Sequence, residues 1–262
     1  MTSLQLTDDN GVRIIAINRP QRRNAVDVAT AGELHDSFVA ADADESVKVM
    51  ILTGVGGAFC AGADLQALAG GETKPIRTAG PGPMGPTRLR LTKPTIAAVE
   101  GPAVAGGLEL ALWCDLRVVA ANAVLGVYCR RWGVPLVDLG TVRLPRLIGH
   151  SRAMDLILTG RGIDGTEAER IGLANRVVPS GQALATAVSL AHDLAALPQR
   201  CLRNDRLSAI EQWDLDDAAA MRNEVWRGRD SIASGEALEG AGRFAGGAGR
   251  HGQPAAVADR ST

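Results

Sequence analysis

Residues 95–111 read Thr95-Ile96-Ala97-Ala98-Val99-Glu100-Gly101-Pro102-Ala103-Val104-Ala105-Gly106-Gly107-Leu108-Glu109-Leu110-Ala111. A short, very apolar run over Thr95–Glu100 reads as a buried strand, the Gly/Pro cluster as a turn, and Leu108–Leu116 as a buried helix. The same order occurs once before. Val47–Thr53 reads as a buried strand, Gly54, Gly56, Gly57 and Gly62 follow, and Asp64–Ala69 opens a helix. Each unit delivers free backbone N–H groups where a helix begins, and such groups attract negative charge with help from the helix dipole.

Three chemistries use such loops. Dinucleotide binding needs glycine at 54, 56 and 59, but position 59 is Phe59, so that fingerprint fails. A phosphate cradle lacks its lysine. A two-donor oxyanion hole, one N–H from each unit, suits an enzyme that stabilises charge on a carbonyl oxygen. Tight turns with no chemistry explain the glycines as well. Glu109 adds weight to the oxyanion reading. It lies in the apolar stretch Ala105–Trp113, where a carboxylate is costly without a function or a partner. It follows Gly106 by three residues and shares its helical face. Desolvation there raises a carboxylate towards the range useful for proton transfer. An arginine partner is the alternative explanation.

Outward from these units, Val12–Asn18 reads as a strand and Asp27–Asp44 as a helix. Gly70–Pro86 reads as a Gly/Pro-rich loop and Leu116–Ala120 as a strand. Ser151–Arg161 and Thr166–Ile171 read as helices, Val177–Val178 as a short strand, and Gln182–Leu197 as an amphipathic helix. The segment from about Asp205 to Val225 reads as one helix. Strands alternate with helices in the first half and helices dominate the second, which predicts an α/β fold with a helical C-terminal part. The expected divisions are a core over 1–195, a helical region over 196–245 and a disordered tail over 246–262.

The 262 residues allow a substantial core, and with only 3% aromatics that core must be built from Ala, Val, Leu and Ile. A net charge of −1 gives no reason to expect a nucleic-acid partner. No apolar run is long enough for a membrane span, and residues 1–10 show no signal-peptide core. Cys60, Cys114, Cys129 and Cys201 are widely spaced and read as free thiols of a cytoplasmic protein. His35, His150, His192 and His251 lack metal-ligand spacing, so no metal is expected.

The stretch Ile51–Gly54 with Ala58–Leu65 resembles the first signature of the crotonase superfamily, the enoyl-CoA hydratases and isomerases. Lys93–Gly101 with Gly106–Ala111, Cys114 and Asp115 resembles the second. Asn18-Arg19-Pro20 with Asn24-Ala25, Leu158–Gly160, Glu167-Ala168, Gly172-Leu173, Val177–Pro179 and Glu239–Phe244 extend the resemblance from about residue 4 to residue 244. The resemblance implies a spiral of repeated ββα units. It also implies a C-terminal helical region that forms homotrimers, often paired into hexamers. The implied substrate is an acyl-CoA thioester, with coenzyme A part of the substrate rather than a separate cofactor. By position, the N–H groups of Ala63 and Gly106 form the oxyanion hole. Ala61, Asp64, Leu65 and Gln66 fall where the family contacts coenzyme A, as does Ala25, and Arg22 or Arg23 would meet its phosphates.

The family's hydratases use two glutamates around one water. Glu109 matches the first, but the position of the second holds Cys129, and a thiol is a poor stand-in for a carboxylic acid. Asp138 is the nearest replacement, near an acidic position of some family isomerases. Cys129 and Trp132 are expected at the pocket. The expected function is hydration of a 2-enoyl-CoA with Glu109 as acid/base. The alternatives are isomerisation, decarboxylation or thioester cleavage, or a non-catalytic acyl-CoA-binding protein.

Overall fold

The computed structural model describes residues 2–73 and 76–249. The chain opens with the antiparallel strands β1 (Leu4–Asp9) and β2 (Val12–Ile17), then helix α1 (Val28–Ala43), strand β3 (Val49–Gly54) and short helix α2 (Leu65–Ala69). Strands β4 (Thr95–Val99) and β5 (Pro102–Val104) lead into helix α3 (Gly106–Trp113), and strands β6 (Leu116–Ala120) and β7 (Val124–Gly126) follow. Helices α4 (Gly140–Ile148) and α5 (His150–Thr159), strand β8 (Gly162–Ile163), helix α6 (Gly165–Arg170), strand β9 (Arg176–Val178) and helix α7 (Ala183–Ala195) come next. Helices α8 (Gln199–Glu211), α9 (Asp217–Ala233) and α10 (Glu236–Ala245) end the described chain.

Two compact units emerge, Met1–His192 and Asp193–Thr262. In the first, six strands pair in the order β1-β2-β3-β4-β6-β9, and β5-β7-β8 form a smaller sheet. Chain segments pass from the large sheet to the small one and then to a helix, as β4, β5 and α3 do, which is the expected ββα spiral. The central strands β3 and β4 are parallel and buried on both faces, so they read as continuous apolar runs. Ala and Val let the sheets pack closely. Two of the sparse aromatics meet in the core, where Phe38 packs edge-on against Trp113 at 4.8 Å.

One strand is added to the sequence expectations, and two expectations are corrected. Residues 4–9 form a strand, because Asn10 and Gly11 both adopt positive φ and close a two-residue hairpin onto β2. The helix after Gly106 stops at Trp113 rather than Leu116. Asp115 accepts from the Thr95 N–H (2.7 Å) and hydroxyl, while Arg117 donates to the last carbonyls, including Cys114 at 2.8 Å. In the second unit, the predicted helix over 205–225 is two helices. Leu215 is extended and the Asp216 side chain caps α9 through the Ala219 N–H. Arg227 pairs with Glu211, and Asn204 with Ser231, to hold α8 against α9. After α10, residues 246–249 form turns, while 250–262, most of the predicted tail, lie outside the described residues.

Asn24 ties the β2–α1 connection to the loop after β3. It is fully buried, adopts φ +56°, donates to the carbonyls of Val55 (2.9 Å) and Ala58 (2.6 Å), and accepts from the Arg19 N–H. Asn24→Ala leaves two buried carbonyls unsatisfied, a cost of about 2 kcal/mol. The melting temperature should drop by roughly 4–8 °C; an unchanged melt in calorimetry would remove Asn24 from this role.

Candidate active site

The loops after β3 and β4 are joined by backbone pairing. The Phe59 N–H donates to Glu100 (2.7 Å), Cys60 to Pro102 (2.9 Å), and Val104 back to Cys60 (3.1 Å). A Cβ at Gly62 would fall 3.0 Å from the Gly106 nitrogen, which shows how closely the loops meet. Val26 pairs with the chain on either side of Ala63, donating to Gly62 and accepting from Asp64, so the Ala63 N–H is turned away from that partner. Gly106 is the first residue of α3, where an N–H has no acceptor within the helix. Ala105 before it holds φ 54°, ψ −124°, an unusual conformation for a residue with a Cβ. Its N–H bond to Gly126 (2.9 Å) helps fix it there. Ala63 and Gly106 both line one cleft of about 570 Å³.

Glu109 lies one turn into α3 and is 2% exposed. Its Oε1 accepts from the N–H groups of Asp138 (2.9 Å) and Gly140 (2.8 Å), at the start of α4. A Cβ on Gly140 would stand 2.7 Å from that oxygen, so the contact requires glycine. The Oε2 atom has no protein hydrogen-bond partner among the described residues, and Glu109 lines the cleft. Burial, aided by the nearby Asp138 charge, pushes the Glu109 carboxyl up to about 7, against the opposing pull of the two amides and Arg143. The alternative of a paired arginine is not what holds Glu109: two backbone amides bind it, and Arg143 acts on it through space.

Asp138 is also buried and lines the cleft. Its Oδ1 accepts from the Met84 N–H (3.1 Å) and the Thr87 hydroxyl. Burial raises its carboxyl despite these bonds and despite Arg88 and Arg143. Cys129 lines the same wall; burial, then the Glu109 charge, raise its thiol, so it stays neutral. Trp132 lines the cleft while remaining 70% exposed.

Ala61, Asp64 and Leu65 line the cleft as well. The Asp64 side chain, however, caps α2 through Gln66 (3.1 Å) and Ala67 (3.2 Å) and pairs with Arg19 at 3.0 Å. Arg23, Ala25 and Gln66 lie outside the cleft lining. Arg23 is exposed at the end of the 3-10 turn 20–22, Ala25 is buried with its carbonyl bound by Arg19, and Gln66 is exposed on α2. Met84 and Thr87 bind Asp138 from a segment far upstream and Arg143 binds it from the first turn of α4, and none of the three carries a sequence motif that would have marked it.

The family described as enoyl-CoA hydratase/isomerase matches residues 7–244. The chain is 37% identical over 239 residues to the enoyl-CoA hydratase EchA19 of Mycobacterium tuberculosis, covering 88% of this chain and 89% of that protein. It is 38% identical over 184 residues to the mevalonyl-coenzyme A hydratase sidH of Aspergillus fumigatus, covering 69% and 67% respectively. The crystal structure of the enoyl-CoA hydratase EchA1 from Mycobacterium marinum superposes with a TM-score of 0.88 at 35% identity, covering 93% of this chain and 96% of that one. With its paired glycine loops, its ββα spiral and these relatives, the chain is a crotonase-superfamily enzyme and belongs to the enoyl-CoA hydratase/isomerase family.

Proposed function

We propose that this enzyme binds an acyl-CoA thioester and adds water to a 2-enoyl-CoA, with Glu109 as acid and base. The observation that carries this reading is the unpartnered Glu109 Oε2 in the cleft, one helical turn from the free Gly106 N–H. The thioester oxygen accepts from the Ala63 and Gly106 N–H groups, each worth about 3–4 kcal/mol as charge develops on it. Glu109 Oε2 takes a proton from a water while the water oxygen bonds to C3. The C2–C3 double-bond electrons move towards the thioester and form an enolate. The same carboxyl then returns its proton to C2, so one O–H bond and the C2–C3 π bond are exchanged for one C–O and one C–H bond. Ala61 and Leu65 contact the coenzyme A portion; Arg23 or Arg22 meets its phosphates. Cys129 and Trp132 wall the acyl side.

Cys129 supports a second reading. A neutral thiol where hydratases carry a carboxylate leaves proton transfer to Glu109, with Asp138 as the nearby second carboxyl. One base that moves one proton between two carbons is an isomerase. Incubation with 2-enoyl-CoA and 3-enoyl-CoA, read by mass spectrometry, separates the two: hydration adds the mass of one water, isomerisation adds none. Glu109→Gln should lower kcat by at least about a hundredfold while a CoA ester still binds. Wild-type turnover in that variant would sink the assignment.

The pH dependence has a definite sign. As a base, Glu109 must be ionised, so kcat/KM should climb with pH and level off above about 7. The folded carboxyl titrates above its unfolded value of 4.5, so the folded state binds the extra proton between those values. Stability from this group is therefore present at low pH and is lost as pH rises to about 7. Glu109→Gln should raise the melting temperature relative to wild type more at pH 8 than at pH 5; equal differences at both would contradict the shift.

We also infer a homotrimer, or a pair of trimers. The second unit exposes Trp213, Met221, Val225, Trp226, Ile232 and Leu238, too many large apolar side chains to leave in water. Sedimentation should give a mass that is a multiple of three chains, and Trp226→Glu should lower it; a monomer at micromolar concentration would refute this.

A further inference from the structure

We propose that Arg143 is a positioning residue that holds Glu109 in its working orientation. This rests on the role assigned to Glu109 above. Arg143 lies in the first turn of α4, half-buried and outside the cleft lining, so it does not reach substrate. Its Nη1 donates to the Asp138 carbonyl (2.9 Å) and its Nη2 to the Thr87 carbonyl (2.6 Å). Thr87 in turn donates its hydroxyl to Asp138 Oδ1, so guanidinium, threonine and aspartate close a ring. A Cβ on Gly82 would overlap both the Thr87 hydroxyl and the Asp138 carboxylate, so that ring is packed too tightly to shift freely.

The ring acts on Glu109 through the turn 138–140. Leu139 adopts φ +67°, a left-handed conformation that a branched residue holds only when its surroundings fix it. That conformation aims the flanking N–H groups of Asp138 and Gly140 at one oxygen, Glu109 Oε1. By clamping the Asp138 carbonyl to the 86–88 segment, Arg143 keeps the turn from relaxing. Arg143 meets the two carbonyls with two separate nitrogens of a rigid planar fork, whereas a lysine would have to reach both from a single nitrogen on a flexible stem.

Charge adds to geometry. Arg143 faces Glu109 and Asp138, with Cys114 and Arg146 also near it. Glu109 further faces Cys129, and Asp138 faces Arg88. Arg143 thus favours the ionised form of the proposed base in a site where burial and Asp138 oppose it.

The test compares Arg143→Gln and Arg143→Lys in the full chain, with CoA-ester binding and melting measured beside the pH profile. In Arg143→Gln the acid limb of kcat/KM should move to higher pH, so that the rate is several-fold lower on that limb and recovers at high pH. Arg143→Lys should return the limb towards its wild-type position while kcat stays several-fold low, with binding of the CoA ester kept in both. A profile superimposable on wild type, or equal loss at every pH together with lost binding, overturns the proposal. Should the glutamine variant fail to fold, a lysine variant with wild-type kcat does the same. If Glu109→Gln is active, the Glu109 assignment itself fails; if it is inactive while Arg143→Gln shifts no limb, only the role of Arg143 fails.

Discussion

Three backbone hydrogen bonds between the chain after β3 and the chain after β4 organise this molecule. They connect two loops that begin on neighbouring parallel strands, and so they inherit the alignment of the sheet. Two N–H groups separated by 43 positions in the sequence, 63 and 106, then face one cleft. Neither donor relies on a side chain, which is why the donor positions can be an alanine and a glycine. The site instead constrains the backbone: an ill-favoured Ala105 conformation is retained because its own N–H is bound to Gly126, its carbonyl accepts from Glu109, and Val104 before it is bound to Cys60.

The carboxylates obey a different constraint. A buried Glu109 without hydrogen bonds would be neutral and mobile. One oxygen is instead immobilised by two amides at the start of α4, which leaves the other oriented and chemically available. Asp138 is treated similarly, with one oxygen held by Thr87 and Met84. Burial moves both carboxyls upward, and their proximity reinforces the shift on Glu109. Two such nearby acids cannot both ionise easily, and Cys129 stands with them in the lining of the same cleft.

How much of this was legible in the sequence depends on range. The two strand–glycine–helix units were readable because a strand, a turn and a helix start are local events, and Glu109 stood out as a charge in an apolar run. Asn10-Gly11 also carried a local hairpin signal, but the surrounding polar residues of an edge strand masked it. Pro145 inside α4 hid that helix, and Asp216 marked a cap that apolar spacing smoothed over. Thr87 and Arg143 were not readable at all. Their significance comes from meeting Asp138 across 51 and 5 positions respectively, Thr87 by a hydroxyl on the carboxylate and Arg143 by a backbone carbonyl, contacts that impose no local residue pattern.

The small-residue composition links these features. Glycines at 62, 82 and 140 stand where a single added carbon would press on the second donor loop, on Asp138 or on Glu109. A core of Ala and Val lets successive turns of the spiral approach closely enough for those contacts to exist. Bulkier side chains would strengthen burial locally, yet they would separate the strands' ends and dissolve the convergence of donors and carboxyls. Stability in this fold therefore comes from many short, close contacts, and the same closeness brings Ala63, Gly106, Glu109 and Asp138 to the wall of one cleft.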